Sequence, residues 1–171
     1  MTLNEFTKRA EAAGSTVEVV ADWAAVSDLA KRLAPGGTVV VAPSLAAWSP
    51  ELMSALGPVG RLPDPASPVE SVADAEVGVV AGDMAVAESG SVLVLEDELA
   101  DRVVSMLSLT LIQVVPGDRV VDSLDDVAAR LGEVNAGYAV LSTASSRTAD
   151  IERSLTIGVQ GPAAVHVVVM E

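Results

Sequence analysis

The chain of 171 residues contains no cysteine. That absence excludes disulfides, a thiol nucleophile, thiolate zinc sites and any iron–sulfur cluster held by its own residues. One histidine, His166, cannot supply a multi-histidine metal site, and the carboxylates are scattered without ligand spacing, so no metal centre is expected. Aromatic residues make up 2% of the chain, and Trp23, Trp48 and Tyr138 are too few and scattered to build a platform for stacked bases. Basic residues are also few: ten Lys+Arg against 24 Asp+Glu give a formal net charge of −14. A field of that sign repels phosphate backbones and anionic headgroups, and no Lys/Arg cluster counters it, so neither nucleic acid nor a membrane is expected as a partner. No apolar run reaches about 18 residues without polar interruption. The segment Met1-Thr2-Leu3-Asn4-Glu5-Phe6 has neither a basic leader nor an apolar stretch before a cleavage site. The expectation is a soluble, cytoplasmic protein.

What is present is apolar material: half of the residues are hydrophobic, enough for the core of one domain spanning residues 1–171. Thr2 with Glu5 forms a capping-box pattern, and Leu3, Phe6, Ala10 and Ala13 follow at helical spacing, so an N-terminal helix is expected over residues 1–14. A strand from Val17 to Val20 precedes a helix capped by Asp22. Val39-Val40-Val41-Ala42 reads as a strand covered on both faces, with a short helix from Ser49 to Leu56 after it. Four prolines, Pro58, Pro63, Pro65 and Pro68, make residues 58–68 an irregular loop.

Val77 to Val80 and Ser91 to Leu95 are β runs, and Leu99, Val103, Met106 and Leu107 share a helical face. A strand from Leu109 to Val115, a helix capped by Ser123 and Asp126, and a strand from Tyr138 to Leu141 continue the alternation. The last β runs, Ser154 to Val159 and Val165 to Met170, are joined through Gln160-Gly161-Pro162, a link too short for a parallel return; it suits an antiparallel neighbour or a corner between sheets. The whole reads as an α/β fold whose mostly parallel sheet has a mixed edge.

In such folds ligands lie beyond the carboxyl ends of strands, and two polar segments follow β runs. In Ala87-Glu88-Ser89-Gly90-Ser91, Glu88 is a candidate nucleophile or general base beside two hydroxyls and a glycine; the alternative is a turn chosen for its geometry. In the segment from Ser142 to Glu152, Arg147 offers a planar fork to a carboxylate or phosphate, with Asp150 to orient it. The alternative there is a capped helical turn with Arg147 in a surface ion pair. His166, within a strand, reads as a surface or hydrogen-bonded structural residue. Gly78, Gly82 and Gly90 do not form a dinucleotide fingerprint, Gly36-Gly37 precedes a strand rather than following one, and there is no Gly-x-Ser-x-Gly elbow.

Glu88-Ser89-Gly90-Ser91 before an apolar strand, and Ser146-Arg147-Thr148-Ala149-Asp150-Ile151-Glu152 with Gly158-Val159-Gln160-Gly161-Pro162, resemble the LUD domain family, to which lactate utilization protein C belongs. The resemblance covers Val77 to Glu171 well and the N-terminal half loosely. It implies a three-layer fold like the NagB/RpiA/CoA-transferase group, with a mostly parallel sheet flanked by helices and a mixed or antiparallel edge. It also implies a part in oxidising L-lactate to pyruvate, with iron–sulfur and cysteine-rich partner subunits doing the redox work and no cofactor on this chain. Arg147 would then hold a small organic acid or a phosphate-containing ligand, with Ser146, Thr148, Asp150, Gln160 and Gly161 around it. Gln160 stands where the family commonly has His, which removes an imidazole acid/base there, and Ser89 and Ser91 replace more usual threonines. The same resemblance leaves open a CoA-transferase-like enzyme with Glu88 as nucleophile. A sensor domain that binds an organic acid without turning it over is the third reading.

Overall fold

The computed structural model describes residues 2–145, 147–148, 156–157 and 161–171, with 147–148 and 156–157 as backbone. Helix α1 (Thr2–Ala13) leads to strand β1 (Thr16–Val20) and helix α2 (Trp23–Leu33), where the Asp22 carboxylate accepts from the Ala25 amide at 2.9 Å. Strand β2 (Val39–Val41) is followed by helices α3 (Pro43–Trp48) and α4 (Pro50–Leu56), strand β3 (Gly60–Arg61) and helix α5 (Pro68–Val72). Then come β4 (Val77–Ala81), β5 (Met84–Val86), β6 (Ser91–Leu95), α6 (Leu99–Leu107), β7 (Thr110–Pro116), β8 (Val120–Val121) and α7 (Leu124–Glu133). The chain ends with β9 (Ala139–Ser142), the ribbon β10 (Arg147–Thr148) and β11 (Thr156–Ile157), and β12 (Ala164–Met170).

Six strands form one parallel sheet in the order β1-β12-β7-β4-β2-β3, flanked by helices. Its inner strands are apolar on both faces because both are covered: Val39, Val40 and Val41 are fully buried, each worth about 2 kcal/mol of burial. Antiparallel pairing lies beside this sheet, in a second sheet ordered β8-β5-β6-β9 and in the β10-β11 ribbon. The two final β runs lie in different sheets among the described residues: β11 pairs in the ribbon, and β12 runs parallel between β1 and β7. Buried residues from Phe6 in α1 to Val169 in β12 share one apolar cluster.

Two local expectations need correction, the helix expected from Ser49 to Leu56 is present as α4, and three short elements were not expected. Thr2 lies inside α1, not at its N-cap, and its hydroxyl donates to Asp122 Oδ1 at 2.8 Å. The Pro-rich stretch is not irregular throughout, since Gly60–Arg61 pairs along β2 and Pro68 opens α5 at a position where a missing amide costs nothing. Pro43 opens α3 in the same way, before the helix expected from Ser49. Strands β5 and β8 lie between the expected elements in the second sheet, with β5 buried and Val120 and Val121 of β8 partly buried.

Candidate functional site

The turn carrying Glu88 joins β5 to β6 in the second sheet. Gly90 sits there at φ 70°, and a Cβ on it would lie 2.5 Å from the Ala10 amide nitrogen of α1, so both backbone geometry and helix packing require glycine. Glu88 is exposed, and its Oε2 accepts from the Leu124 amide at 2.9 Å, at the start of α7. A carboxylate there satisfies a free amide and complements the positive end of the helix. Ser89 Oγ is buried without a partner among the described residues. Ser91 is buried, and its hydroxyl hydrogen-bonds with that of Thr143, just past β9.

Of the C-terminal motif, Ser146, Asp150 and Gln160 lie outside the described residues. Arg147 and Thr148 form a strand paired with Ile157 and Thr156, and the helical turn that stood as the alternative lies mostly outside the described residues. Gly161 lines an inner cavity together with Ala144, which holds an uncommon φ of 70° for a residue with a Cβ. The residues on either side of the motif thus border one recess.

That cavity, of about 230 Å³, lies between the two sheets. Leu111 and Gln113 of β7 and Val165 of β12 line it from the parallel sheet, Val94 of β6 with Glu96 just beyond, and Val140 and Ser142 of β9, from the second sheet, and Ser105 and Met106 from α6. Gln113 is 1% exposed, and neither its Oε1 nor its Nε2 has a hydrogen-bond partner among the described residues. Its register neighbours Val80 and Val167 show how apolar this level of the sheet otherwise is. Glu96 is 2% exposed; Ser105 Oγ donates to its Oε2 at 3.0 Å, and its Oε1 has no partner among the described residues. Burial pushes the Glu96 carboxyl up to about 7, against the Ser105 hydrogen bond; the Asp101 charge raises it further and the Arg102 charge lowers it. Each unpaired buried polar group costs about 1–3 kcal/mol, so this arrangement is expensive unless something fills it.

A second recess, of about 280 Å³, opens at the carboxyl ends of β2, β4 and β7, where the chain reverses its direction of travel across the sheet. Ser44, Trp48, Gly82, Asp83, Pro116 and Arg119 line it. Asp83 accepts from Arg130 Nε at 2.9 Å and Nη2 at 2.8 Å, a two-pronged pair, and from Arg119 Nη1 at 3.2 Å. The Asp83 hydrogen bond raises the Arg130 pKa above its ordinary value. Asp83 is thus fully engaged, and of its two arginine partners Arg119 is the more exposed.

A model of the LUD domain matches residues 69–170, more than half of the chain. The chain belongs to the LUD domain family. Over 110 residues this LUD chain is 34% identical to lactate utilization protein C of Geobacillus kaustophilus, covering 60% of this chain and 46% of that one. Lactate utilization protein C of Anoxybacillus flavithermus is 30% identical over 105 residues, covering 60% of this chain and 48% of that one. The alignments thus span about half the length of these relatives. A crystal structure of a DUF162 family protein from Deinococcus radiodurans superposes with a TM-score of 0.68 at 21% identity, covering 99% of this chain and 96% of that one, which supports the fold. Among the described residues of this LUD chain, no helix is long and apolar enough to cross a membrane.

Sequence reasoning passed over Gln113, Glu96 and the Asp83 cluster. Gln113 had a signal: it is the one polar residue within Leu111-Ile112-Gln113-Val114-Val115, a run apolar enough for a strand covered on both faces. Asp83 follows Gly82 directly after β4, within the polar glycine-containing segment between two recognised strands.

Proposed function

We propose that this LUD chain serves lactate utilization as a ligand-binding component that carries no redox group, with iron–sulfur and cysteine-rich partner subunits moving the electrons. The observation that carries the reading is the LUD match over 69–170 together with relatives named for lactate utilization. A chain without cysteine fits a division of labour in which another subunit binds the clusters. The ligand is a small organic acid or a phosphate-bearing anion, held by Arg147 with Ser146, Thr148, Asp150, Gln160 and Gly161. The position of Ala144 and Gly161 on the inner cavity supports a ligand at that end of the molecule.

A thermal-shift panel of L-lactate, pyruvate, inorganic phosphate, coenzyme A and nucleotides tests the reading. A ligand at a hundred times its Kd stabilises the folded chain by about 2.7 kcal/mol. Stabilisation by L-lactate or pyruvate, lost in Arg147→Ala, is the expected result. No shift with any organic acid or phosphate-bearing compound contradicts it, and a shift with coenzyme A alone favours the CoA-transferase-like alternative instead.

A further inference from the structure

Gln113 is buried in the middle of a parallel strand, level with two valines, and offers one acceptor and a two-proton donor to the cavity with nothing among the described residues to receive them. Glu96 faces the same space from the opposite sheet with one oxygen uncommitted. The remaining lining is mostly apolar: Val94, Met106, Leu111, Val140 and Val165. A molecule that pairs with the Gln113 amide and the Glu96 carboxyl and presents a small alkyl group to the apolar residues suits this lining. A volume of about 230 Å³ has room for a short-chain compound.

We infer that this inner cavity binds a small 2-hydroxy acid, its carboxylate accepting from Gln113 Nε2 and the protonated Glu96 carboxyl, its hydroxyl donating to Gln113 Oε1, and its alkyl group resting on the apolar wall. The inference rests on the proposed role in lactate utilization and departs from that reading in the residues, giving the carboxylate to Gln113 and Glu96 instead of Arg147, so L-lactate binding is expected to survive Arg147→Ala. Glu96 must carry a proton, because two carboxylates cannot share this space. The groups facing it are consistent with that. Ser105 and Arg102 of α6 favour the ionised form, Asp101 of α6 and burial oppose it, and Gln113 across the cavity is neutral. Arg102, whose guanidinium lies 5.3 Å from the centre of the Tyr138 ring, provides the nearby positive charge.

Titration calorimetry with L-lactate from pH 6 to 8.5 tests this on the wild type, Gln113→Leu and Glu96→Gln. The wild-type affinity is expected to fall above pH 7, approaching tenfold per unit as the required proton is lost. Gln113→Leu loses at least tenfold at pH 6. Glu96→Gln, whose amide donates like a neutral carboxyl, binds with a flat pH profile. If Gln113→Leu fails to fold, Val140→Phe, which fills the cavity from a half-buried wall position, loses binding instead. L-lactate binding that survives both cavity variants with the wild-type pH profile places the acid elsewhere and overturns the inference while leaving the proposed function standing. No binding of L-lactate or pyruvate to the wild type overturns both.

Discussion

Ser91 and Thr143 hydrogen-bond through their hydroxyls, tying the turn that carries Glu88 to the segment that runs on toward Arg147. The contact continues the β6–β9 pairing, in which Val92 lies opposite Ser142. Ser91 is buried, whereas Thr143 is exposed at the rim of the inner cavity. Ser91→Ala removes one bond and leaves Thr143 to water, so a loss of about 1 kcal/mol is expected in urea unfolding. An unchanged midpoint would show that the link holds nothing.

Glu88 acts locally as a cap on α7. Glu88→Ala should lower stability by about 1 kcal/mol, because the Leu124 amide loses its acceptor and the helix its favourable negative charge. Intact-mass spectrometry after incubation with acyl-CoA and borohydride checks the other use of this carboxylate. A Glu88-dependent mass increase would make it a nucleophile.

Glu96 sets a pH dependence whose sign follows from its raised pKa. The folded chain holds the Glu96 proton up to about pH 7, whereas an unfolded chain releases it near 4.5. Between those values the native state binds more protons, so stability falls as pH rises, by about 3 kcal/mol once pH exceeds 7. Glu96→Gln lacks this loss. It should match the wild type more closely at pH 4 and exceed it at pH 8 in paired urea titrations; a variant less stable at pH 8 would show that the ionised carboxylate is well accommodated.

His166, the only histidine, gives one imidazole signal to follow by NMR. Burial lowers its pKa; Glu18 acts against that shift and Arg32 adds to it. The unfolded chain therefore takes up this proton first as pH falls below 6.5, so protonation of His166 favours the unfolded state. A titration midpoint below 6.5 is expected, with stability lost as pH falls through that range. A midpoint above 6.5 would mean that Glu18 outweighs burial.

Much of the fold was legible where a segment declares itself locally. Asp22 and the Ser123–Asp126 box cap the helices they were expected to cap, and Val39–Val41 is apolar throughout because both faces are covered. The strands β3, β5 and β8 were not, since two or three residues cannot display a period and their pairing depends on partners distant in sequence. The site divides in the same way. Glu88 and Arg147 stand out in polar runs after β segments, whereas Glu96 and Gln113 meet only when the second sheet folds over the first. Glu96 is ordinary in its own stretch of chain and Gln113 stands out only as a polar residue in an apolar strand; that both are buried with polar atoms unpaired among the described residues is a tertiary fact.

The most direct measurement is a crystal structure of the chain grown with L-lactate near pH 6. The account expects density for the acid between the two sheets, within hydrogen-bond distance of the Gln113 amide and the Glu96 carboxyl. Density for L-lactate at the recess beside Asp83 and Arg119, with the inner cavity holding only water, would contradict it.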